Sequence, residues 1–370
     1  MNHERIQRGE GRLDPVEWRQ METVNWREPP GRATRTRAML SRILTFPARN
    51  QGFAWRKTLA RHKGDERGAG MRQLRRIIVG HDLGVGGEVA LRSAVVLANR
   101  CGAALRLVHV VEPLDSYQRI SHPLTSPYTL EEIAQKTGAR LQALVASPEF
   151  ARLQVEYEVR RGKPFVELII AGRAWQADLI VVGGTSQTEE PFLGSTSERI
   201  VRKALVPVMV AKKPLSSDAK TFLVPTDFSS CARKAAEAAL LLAKSFSGRV
   251  VFFHVLDLYP SYTISYAHEL GVSVQIPPPS PEEIEPEWEA FLSGLTLEKV
   301  EWEKSTGEGQ AATAIVRQAK NIQADMIVIG THGRSGLPHM LLGSVAERVV
   351  RTASCAVLAI RPEVFQFELP

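Results

Sequence analysis

Residues 326–344 read MIVIGTHGRSGLPHMLLGS, a short apolar run followed by a glycine-rich loop and the start of a helical pattern. The run 326–329 has the length of a short strand, and consecutive apolar positions are typical of a parallel strand that is buried on both faces. Gly330 and Gly333 follow this strand directly, and Gly343-Ser344 opens the next helix. The stretch therefore predicts the strand–loop–helix unit of an α/β protein.

The sequence from Met71 onward is an internal duplication of such units. Asp82 is followed 145 residues later by Asp227, and Gly194-Ser195 is followed 149 residues later by Gly343-Ser344. A nearly constant offset of this kind is the signature of a duplicated domain. The short polar linker at 212–219 (KKPLSSDA) keeps the two copies adjacent in space.

Each copy reads as five strands that alternate with four helices. In the first copy, strands are predicted at 75–81, 104–111, 153–160, 179–182 and 207–211, and helices at 88–100, 130–146, 164–175 and 195–204. In the second copy, strands are predicted at 220–225, 249–256, 297–304, 326–329 and 356–360, and helices at 233–246, 282–292, 310–321 and 344–352. The fold class is α/β, with two tandem doubly wound five-stranded parallel sheets and helices on both faces, in domains 71–213 and 219–363.

The positive charge of the chain lies in its first 70 residues. The chain carries 47 Lys and Arg against 40 Asp and Glu; residues 1–70 hold 15 and 8 of them, so residues 71–370 hold 32 of each sign. Residues 1–70 also lack sustained periodicity and are interrupted by Pro and Gly, a composition typical of disorder. Two interpretations stand for this stretch: a disordered Arg-rich extension, or a misassigned start with Met71 as the true first residue.

The composition favours a cytoplasmic protein that crosses no membrane. The apolar runs are at most six residues long, far short of the roughly 20 residues that a membrane-spanning helix needs. The three cysteines, Cys101, Cys231 and Cys355, are widely spaced and form neither a disulfide framework nor a metal motif, which fits a reducing compartment. Because the domains are neutral, nucleic-acid binding is expected only through residues 1–70.

The glycine-rich stretch of the second copy has the physical properties of a phosphate site. Gly330 and Gly333 allow the backbone to turn and to approach a ligand without obstruction by a Cβ atom. Gly343-Ser344 stands where a helix begins, so backbone N–H groups there lack intrahelical partners and the helix dipole favours an anion.

The spacing G-x2-G-x9-G-[S/T] after the fourth strand resembles the ATP-binding signature of the universal stress protein family. VPTDFS at 224–229 and HVL at 254–256 also resemble the first and second strand ends of that family. The resemblance extends over both copies, about 300 residues. It implies a fold of the adenine nucleotide α-hydrolase type, a stress-response role and ATP as ligand, with Mg²⁺ carried on the phosphates.

The resemblance implies a role for each matching position. Asp227 would contact the adenosine part of ATP, and Val255 would lie against the adenine. Gly330, His332 and Gly333 would line the ribose and the α- and β-phosphates, Arg334 would add a charged contact to phosphate, and Gly343, Ser344 and Val345 would hold the β- and γ-phosphates.

The first copy departs from this signature. It keeps Asp82, Val110, Gly183, Gly194 and Ser195, but its loop GGTSQTEEPFLGS is two residues shorter. The loop also places Glu189 and Glu190 where phosphates would lie, and like charges there disfavour anion binding. We therefore expect the first copy to be a degenerate site.

His109 and His254 lie at matching positions within apolar strands and are expected to be structural. Neither has a second His near it in sequence at metal-site spacing.

The expected function is that of an ATP-binding regulatory module acting through unidentified protein partners. No Walker A lysine and no nucleophile with an adjacent base are visible, so at most slow ATP hydrolysis or autophosphorylation is expected. The two copies are expected to form an intramolecular pseudo-dimer, with a homodimer of whole chains as a further arrangement. The alternatives are an interaction module without nucleotide, and a nucleic-acid-associated protein that uses residues 1–70.

Overall fold

The computed structural model describes residues 73–112, 130–184, 194–256, 280, 282–333 and 342–362. The predicted disordered extension at 1–70 lies outside these residues and stays a prediction. Both repeats belong to one compact unit of the chain.

The described part of the first repeat alternates strands with helices in the predicted order. Its strands are β1 (Arg76–Gly80), β2 (Ala104–Val111), β3 (Val155–Arg161), β4 (Leu179–Gly183) and β5 (Val208–Ala211). Its helices are α1 (Val85–Cys101), α2 (Leu130–Val145), α3 (Pro164–Trp175) and α4 (Ser195–Lys203), with a short 3-10 turn at Pro148–Phe150.

The second repeat has the same order of elements. Its strands are β6 (Thr221–Pro225), β7 (Arg249–Leu256), β8 (Glu301–Glu308), β9 (Met326–Gly330) and β10 (Ala356–Ile360). Its helices are α5 (Ser230–Phe246), α6 (Glu285–Leu292), α7 (Ala311–Asn321) and α8 (Ser344–Thr352).

Each repeat forms a five-stranded parallel sheet, as predicted. The strand order is β3-β2-β1-β4-β5 in the first repeat and β8-β7-β6-β9-β10 in the second. The chain leaves the first strand of each repeat toward one side and the fourth strand toward the other. Such a reversal opens a crevice at the carboxyl ends of these two strands, β1 and β4 or β6 and β9, where α/β proteins bind ligands.

Helices cover both faces of the sheet, which explains the unbroken apolar strands. Along β1, the side chains of Ile77 and Val79 pack into one core cluster with α1, whereas Ile78 packs into the opposite cluster with α3 and α4. Successive side chains of a strand point to opposite faces, so both sets must be apolar when both faces are covered. In the described part of the chain, no helix combines the length and apolarity needed to cross a membrane.

The two sheets join edge to edge into one ten-stranded sheet. Strands β5 and β10 pair antiparallel, with Val210 opposite Val357 and Met209 opposite Leu358. Every residue of both strands is buried. The sequence predicted that the repeats lie together; the pairing of their last strands is what the structure adds.

Side chains of α4 and α8 reinforce this seam. Arg202 of α4 forms an ion pair with Glu347 of α8 at 2.7 Å. The buried Arg361 donates to the carbonyl of Val201, and Lys212 donates to the carbonyl of Arg351 at 3.3 Å. Lys212 and Arg361 hold equivalent positions 149 residues apart, so the contact is nearly self-complementary, like that of a two-fold symmetric dimer.

One strand and one helix of the second repeat start later than the sequence pattern indicates. The predicted strand at 297–304 lies at Glu301–Glu308, and the predicted helix at 282–292 begins at Glu285. Leu297 and Val300, which gave the strand pattern, pack against the core in the connection that precedes β8. Strand β8 itself is an exposed edge strand and therefore carries charged residues rather than an apolar run.

A buried valine in the seam should contribute far more stability than an exposed one. We expect Val210→Ala to lower the free energy of unfolding by about 1–3 kcal/mol, because the seam cannot refill the lost volume. The matched control Val85→Ala, at a side chain that is 57% exposed, should change it by no more than about 0.5 kcal/mol. Urea unfolding followed by circular dichroism measures both, and equal effects would contradict the buried seam.

Candidate functional site

A cavity of 320 Å³ lies at the carboxyl ends of β6 and β9, in the crevice of the second repeat. Eight of the nine predicted site residues line it: Asp227, Val255, Gly330, His332, Gly333, Gly343, Ser344 and Val345. The ninth, Arg334, lies outside the described residues. Residues that are more than 100 positions apart in sequence thus meet in one cavity.

Asp227 occupies a tight turn between β6 and α5. Its Oδ1 accepts a hydrogen bond from the Ser229 amide at 3.1 Å, and the Thr226 hydroxyl oxygen accepts one from the Phe228 amide at 2.9 Å. Ser229 in turn caps α5 by accepting from the Ala232 amide at 3.2 Å. These bonds let Phe228 adopt a left-handed φ of 64° and fix the direction of the Asp227 carboxylate.

Gly330 lets the end of β9 pass close to the start of α5. A Cβ atom at this position would lie 3.0 Å from both the carbonyl carbon and the Sγ of Cys231. A larger residue would push the strand end away from the helix and widen the floor of the cavity. The sequence predicted that Gly330 lets the backbone approach a ligand, which stays a prediction; the structure shows that Gly330 also lets the strand end approach α5.

Gly333 lies directly against the Asp227 carboxylate. A Cβ atom at Gly333 would stand 2.8 Å from Asp227 Oδ2. The backbone of the glycine-rich segment and the acid of the first strand end therefore share one side of the cavity. This contact joins the two motifs that the sequence had placed at separate strand ends.

The first turn of α8 points its backbone donors at the cavity. Gly343 is the N-cap residue, and among the described residues no side chain caps the helix. The Gly343 amide donates to the carbonyl of Thr331 at 2.8 Å, which brings the helix start back to the end of β9. The first amides of a helix have no intrahelical acceptor, so those of Ser344 and Val345 are available to an anion.

Part of the cavity lining is apolar and includes residues that the sequence analysis missed. Val255 at the end of β7 lines the cavity together with Ala311 and Ile315 of α7. Ala311 and Ile315 are four residues apart on one helix face, a spacing that was visible but is shared by most core helices. Only the position of α7 over the sheet identifies them as lining residues.

The strand histidines are hydrogen-bonded to the backbone, as expected for structural residues. His254 Nδ1 lies 2.8 Å from the carbonyl of Thr226, and His109 Nδ1 lies 2.8 Å from that of His81. Because a carbonyl only accepts, Nδ1 must carry the proton in both rings. His332 Nδ1 instead lies 2.9 Å from the hydroxyl of the buried Thr331, which orients its ring at the cavity.

The first repeat has a cavity at the equivalent place, with a volume of 630 Å³. This cavity is lined by all the residues that the first repeat shares with the signature: Asp82, Val110, Gly183, Gly194 and Ser195. Asp82 Oδ1 accepts from the amides of Gly84 and Gly87, both at 2.9 Å. Glu189 and Glu190, on which the expectation of a degenerate site depends, lie outside the described residues, and that expectation stays a prediction.

Gly183 makes an even closer backbone contact than its counterpart Gly330. A Cβ atom at Gly183 would lie 2.2 Å from the carbonyl oxygen of Gly86, in the first turn of α1. No L side chain fits there without a backbone shift. Glycine on both sides of this contact allows β4 and α1 to meet.

His81 replaces Thr226 in the turn of the first repeat. Its Nδ1 accepts from the Leu83 amide at 3.0 Å, as the Thr226 hydroxyl does from Phe228. Burial lowers the pKa of His81 below its ordinary value, while the charges of Asp82 and Glu88 oppose that shift. The ring is therefore neutral at pH 7, with the proton on Nε2.

Comparisons with known proteins match both repeats to one family. The model of the universal stress protein family matches residues 73–212 and again residues 219–361. A universal stress protein of Methanocaldococcus jannaschii is 34% identical over 146 residues, which cover 38% of this chain and 82% of that protein. A universal stress protein of Mycolicibacterium smegmatis is 29% identical over 302 residues, which cover 77% of this chain and 97% of that protein.

Solved structures show the same fold over both repeats. A universal stress protein from Archaeoglobus fulgidus superposes with a TM-score of 0.54 at 21% identity, covering 78% of this chain and 97% of that one. A second structure, described as a putative universal stress protein from Pseudomonas aeruginosa, gives a TM-score of 0.55 at 20% identity, covering 79% of this chain and 95% of that one. At this identity, the likeness establishes the fold alone.

The Gly183 contact predicts opposite effects for two alanine substitutions. Gly183→Ala should lower the free energy of unfolding by about 1–3 kcal/mol, because its Cβ collides with a backbone oxygen. The control Gly138→Ala lies within α2, where the nearest atom to a new Cβ is 4.0 Å away, and should raise stability by about 0.5–1 kcal/mol. Denaturant unfolding decides; a stabilising Gly183→Ala would refute the close approach.

Burial of neutral His81 predicts a loss of stability in mild acid. Because its folded-state pKa lies below the ordinary 6.5, the unfolded chain binds a proton first as the pH falls. The stabilisation is complete above the unfolded pKa and is lost as the pH falls from there toward the folded pKa. His81→Thr, which keeps the acceptor for the Leu83 amide, should flatten the pH dependence of the unfolding free energy below about pH 6.5. If the unfolding free energies of the unsubstituted chain and of His81→Thr fell equally steeply with pH, protonation of His81 would not be the cause of the acid sensitivity.

Proposed function

Since the chain belongs to the universal stress protein family, we propose that it is a stress-response protein that binds ATP in its second repeat and regulates partner proteins. Universal stress proteins are in general not enzymes. In this reading, ATP is a ligand rather than a substrate, with slow hydrolysis or autophosphorylation as the most that the site would support.

One observation carries the proposal: the cavity of the second repeat combines an apolar wall, a carboxylate and the uncapped start of a helix. Val255, Ala311 and Ile315 form the apolar wall, which suits a flat heterocyclic base. The helix start at Ser344 lines the same cavity and suits phosphates. Asp227 stands beside Gly333 and suits the hydroxyl groups of a ribose.

We assign the roles accordingly. Val255 would contact adenine and Asp227 the ribose of the adenosine part. Gly330, His332 and Gly333 would line the ribose and the α- and β-phosphates, with Arg334 adding positive charge there. Gly343, Ser344 and Val345 would bind the outer phosphates through backbone amides and the Ser344 hydroxyl. Mg²⁺ would be held by the phosphates, whose charge it balances.

Helix α8 would couple ATP binding in the second repeat to the first repeat. Its first turn lines the cavity, where we propose that phosphates bind, and its Glu347 contacts Arg202 of the first repeat. A ligand that binds one arrangement of α8 more tightly than another shifts the protein toward that arrangement. Partner proteins would bind the surface that this shift changes.

We place the protein in the cytoplasm. All three cysteines are free, and burial raises the thiol pKa of Cys231 and raises that of Cys355 to about 11. Protonated, buried thiols match a compartment in which disulfides do not form.

Calorimetric titration of the full chain with ATP and Mg²⁺ tests the site. We expect one site per chain and a loss of at least about a hundredfold in affinity in Gly343→Glu, because the new carboxylate stands among the amides that receive phosphate. Gly194→Glu places the same change at the matching position of the first repeat. It should leave the titration unchanged, since we propose that the first repeat is degenerate.

The possible outcomes separate the interpretations. Two sites per chain, one lost in each variant, would show that the first repeat also binds ATP. No binding by the unsubstituted chain would favour an interaction module in which the glycines serve only backbone packing. Circular dichroism of both variants confirms that a lost signal is not a lost fold.

A further inference from the structure

Arg202 lies where helices α4 and α8 meet across the seam. These helices, α4 and α8, each begin at a Gly-Ser pair that lines a cavity. The side chain of Arg202 projects from α4 across the seam toward α8. It is 37% exposed, so it lies partly between the helices.

A single guanidinium nitrogen of Arg202 serves both helices. Its Nη2 lies 2.8 Å from Glu198 Oε1 on its own helix and 2.7 Å from Glu347 Oε1 on α8. Pseudo-symmetry would place Arg351 against Glu198 in return. Among the described residues, Arg351 instead pairs with Glu347 on its own helix at 3.2 Å. The seam is thus asymmetric: Glu347 pairs with an arginine from each repeat, and Arg202 is the one that reaches it across the seam.

Glu347 poses an electrostatic problem for anion binding by α8. It lies in the first turn of the helix, where a carboxylate interacts favourably with the helix dipole. A phosphate bound at Ser344 would use the same dipole and would be repelled by a carboxylate one turn away. A cationic side chain paired with the Glu347 carboxylate reduces that repulsion.

We propose that Arg202 is a positioning residue for the phosphate site of the second repeat, acting through Glu347. Arg202 holds the Glu347 carboxylate at the seam and balances its charge, so that the amides at the start of α8 receive phosphate. The inference rests on the proposed ATP site. It gives the first repeat a role in the second site that does not require the first repeat to bind nucleotide.

A charge effect and a merely structural effect predict different signs for two variants. Arg202→Gln and Glu347→Gln both remove the ion pair across the seam, so a structural role would make both weaken ATP binding. A charge role makes Arg202→Gln weaken ATP binding by about three- to tenfold and Glu347→Gln strengthen it. Arg202→Lys, which keeps the charge, should retain most of the affinity.

The experiment is a titration of the full chain and these variants with ATP and, in parallel, with adenosine. Adenosine carries no phosphate, so its affinity should not change in Arg202→Gln. The loss for ATP should shrink at high salt, because the residues are only half-buried. Arg92→Gln is the matched control: Arg92 forms a similar 2.7 Å ion pair with Glu88, but on α1 of the first repeat, and should leave ATP affinity unchanged.

The double variant Arg202→Gln/Glu347→Gln completes the test. Its ATP affinity should return to within about twofold of the unsubstituted chain, because the repelling carboxylate is gone. Equal losses in both single variants, or an equal loss for adenosine, would overturn the positioning role while leaving the ATP site in place. Failure of the unsubstituted chain to bind ATP would overturn both proposals and is recognised before any variant is compared.

Discussion

The structure depends on the pairing of two apolar edge strands. Strands β5 and β10 each end a parallel sheet, and all of their residues are buried. An unpaired edge of this kind would expose a row of backbone donors and acceptors beside apolar side chains. The antiparallel pairing of Val210 with Val357 and of Met209 with Leu358 satisfies both requirements at once. The two outer edge strands, β3 and β8, carry charged side chains instead. Such charges disfavour pairing of an edge strand with another chain.

This pairing determines how the two sites relate to each other. Because the last strands are antiparallel, the repeats face each other through a pseudo-two-fold axis, and the helices that precede these strands meet across it. Helices α4 and α8 also begin at the two cavities. Contacts at the axis, such as the pair between Arg202 and Glu347, therefore lie one helix length or less from each site. A duplicated chain can use this arrangement with unequal residues in its two halves, which a homodimer of identical chains cannot do.

The two repeats share the same order of strands and helices but differ in the side chains that support the turn after the first strand. In the second repeat, Phe228 stacks on His254 with ring centroids 4.4 Å apart and meets Trp288 edge-on at 5.0 Å. In the first repeat, Leu83 stands at the position of Phe228 and His81 at that of Thr226, and the His81 Nε2 has no hydrogen-bond partner among the described residues. Aromatic packing thus supports the turn that carries Asp227, whereas the turn that carries Asp82 is held mainly by hydrogen bonds to Gly84 and Gly87.

The sequence by itself determined the elements, their order and most of the second site, because each of these leaves a local pattern. Consecutive apolar residues mark strands that are covered on both faces, and Gly330, Gly333 and Gly343-Ser344 mark a strand end and a helix start. Edge strand β8 was misplaced because an exposed edge has no apolar pattern, and Leu297 packs on the core before the strand begins. Ala311 and Ile315 were missed because their spacing is that of any packed helix. Tertiary structure alone decided that β5 pairs with β10, that Gly333 lies against Asp227 and that Arg202 reaches Glu347, since these contacts join residues that are 106 to 151 positions apart. Local patterns specify which face of an element is buried, but the partner on that face is selected only when the whole chain packs.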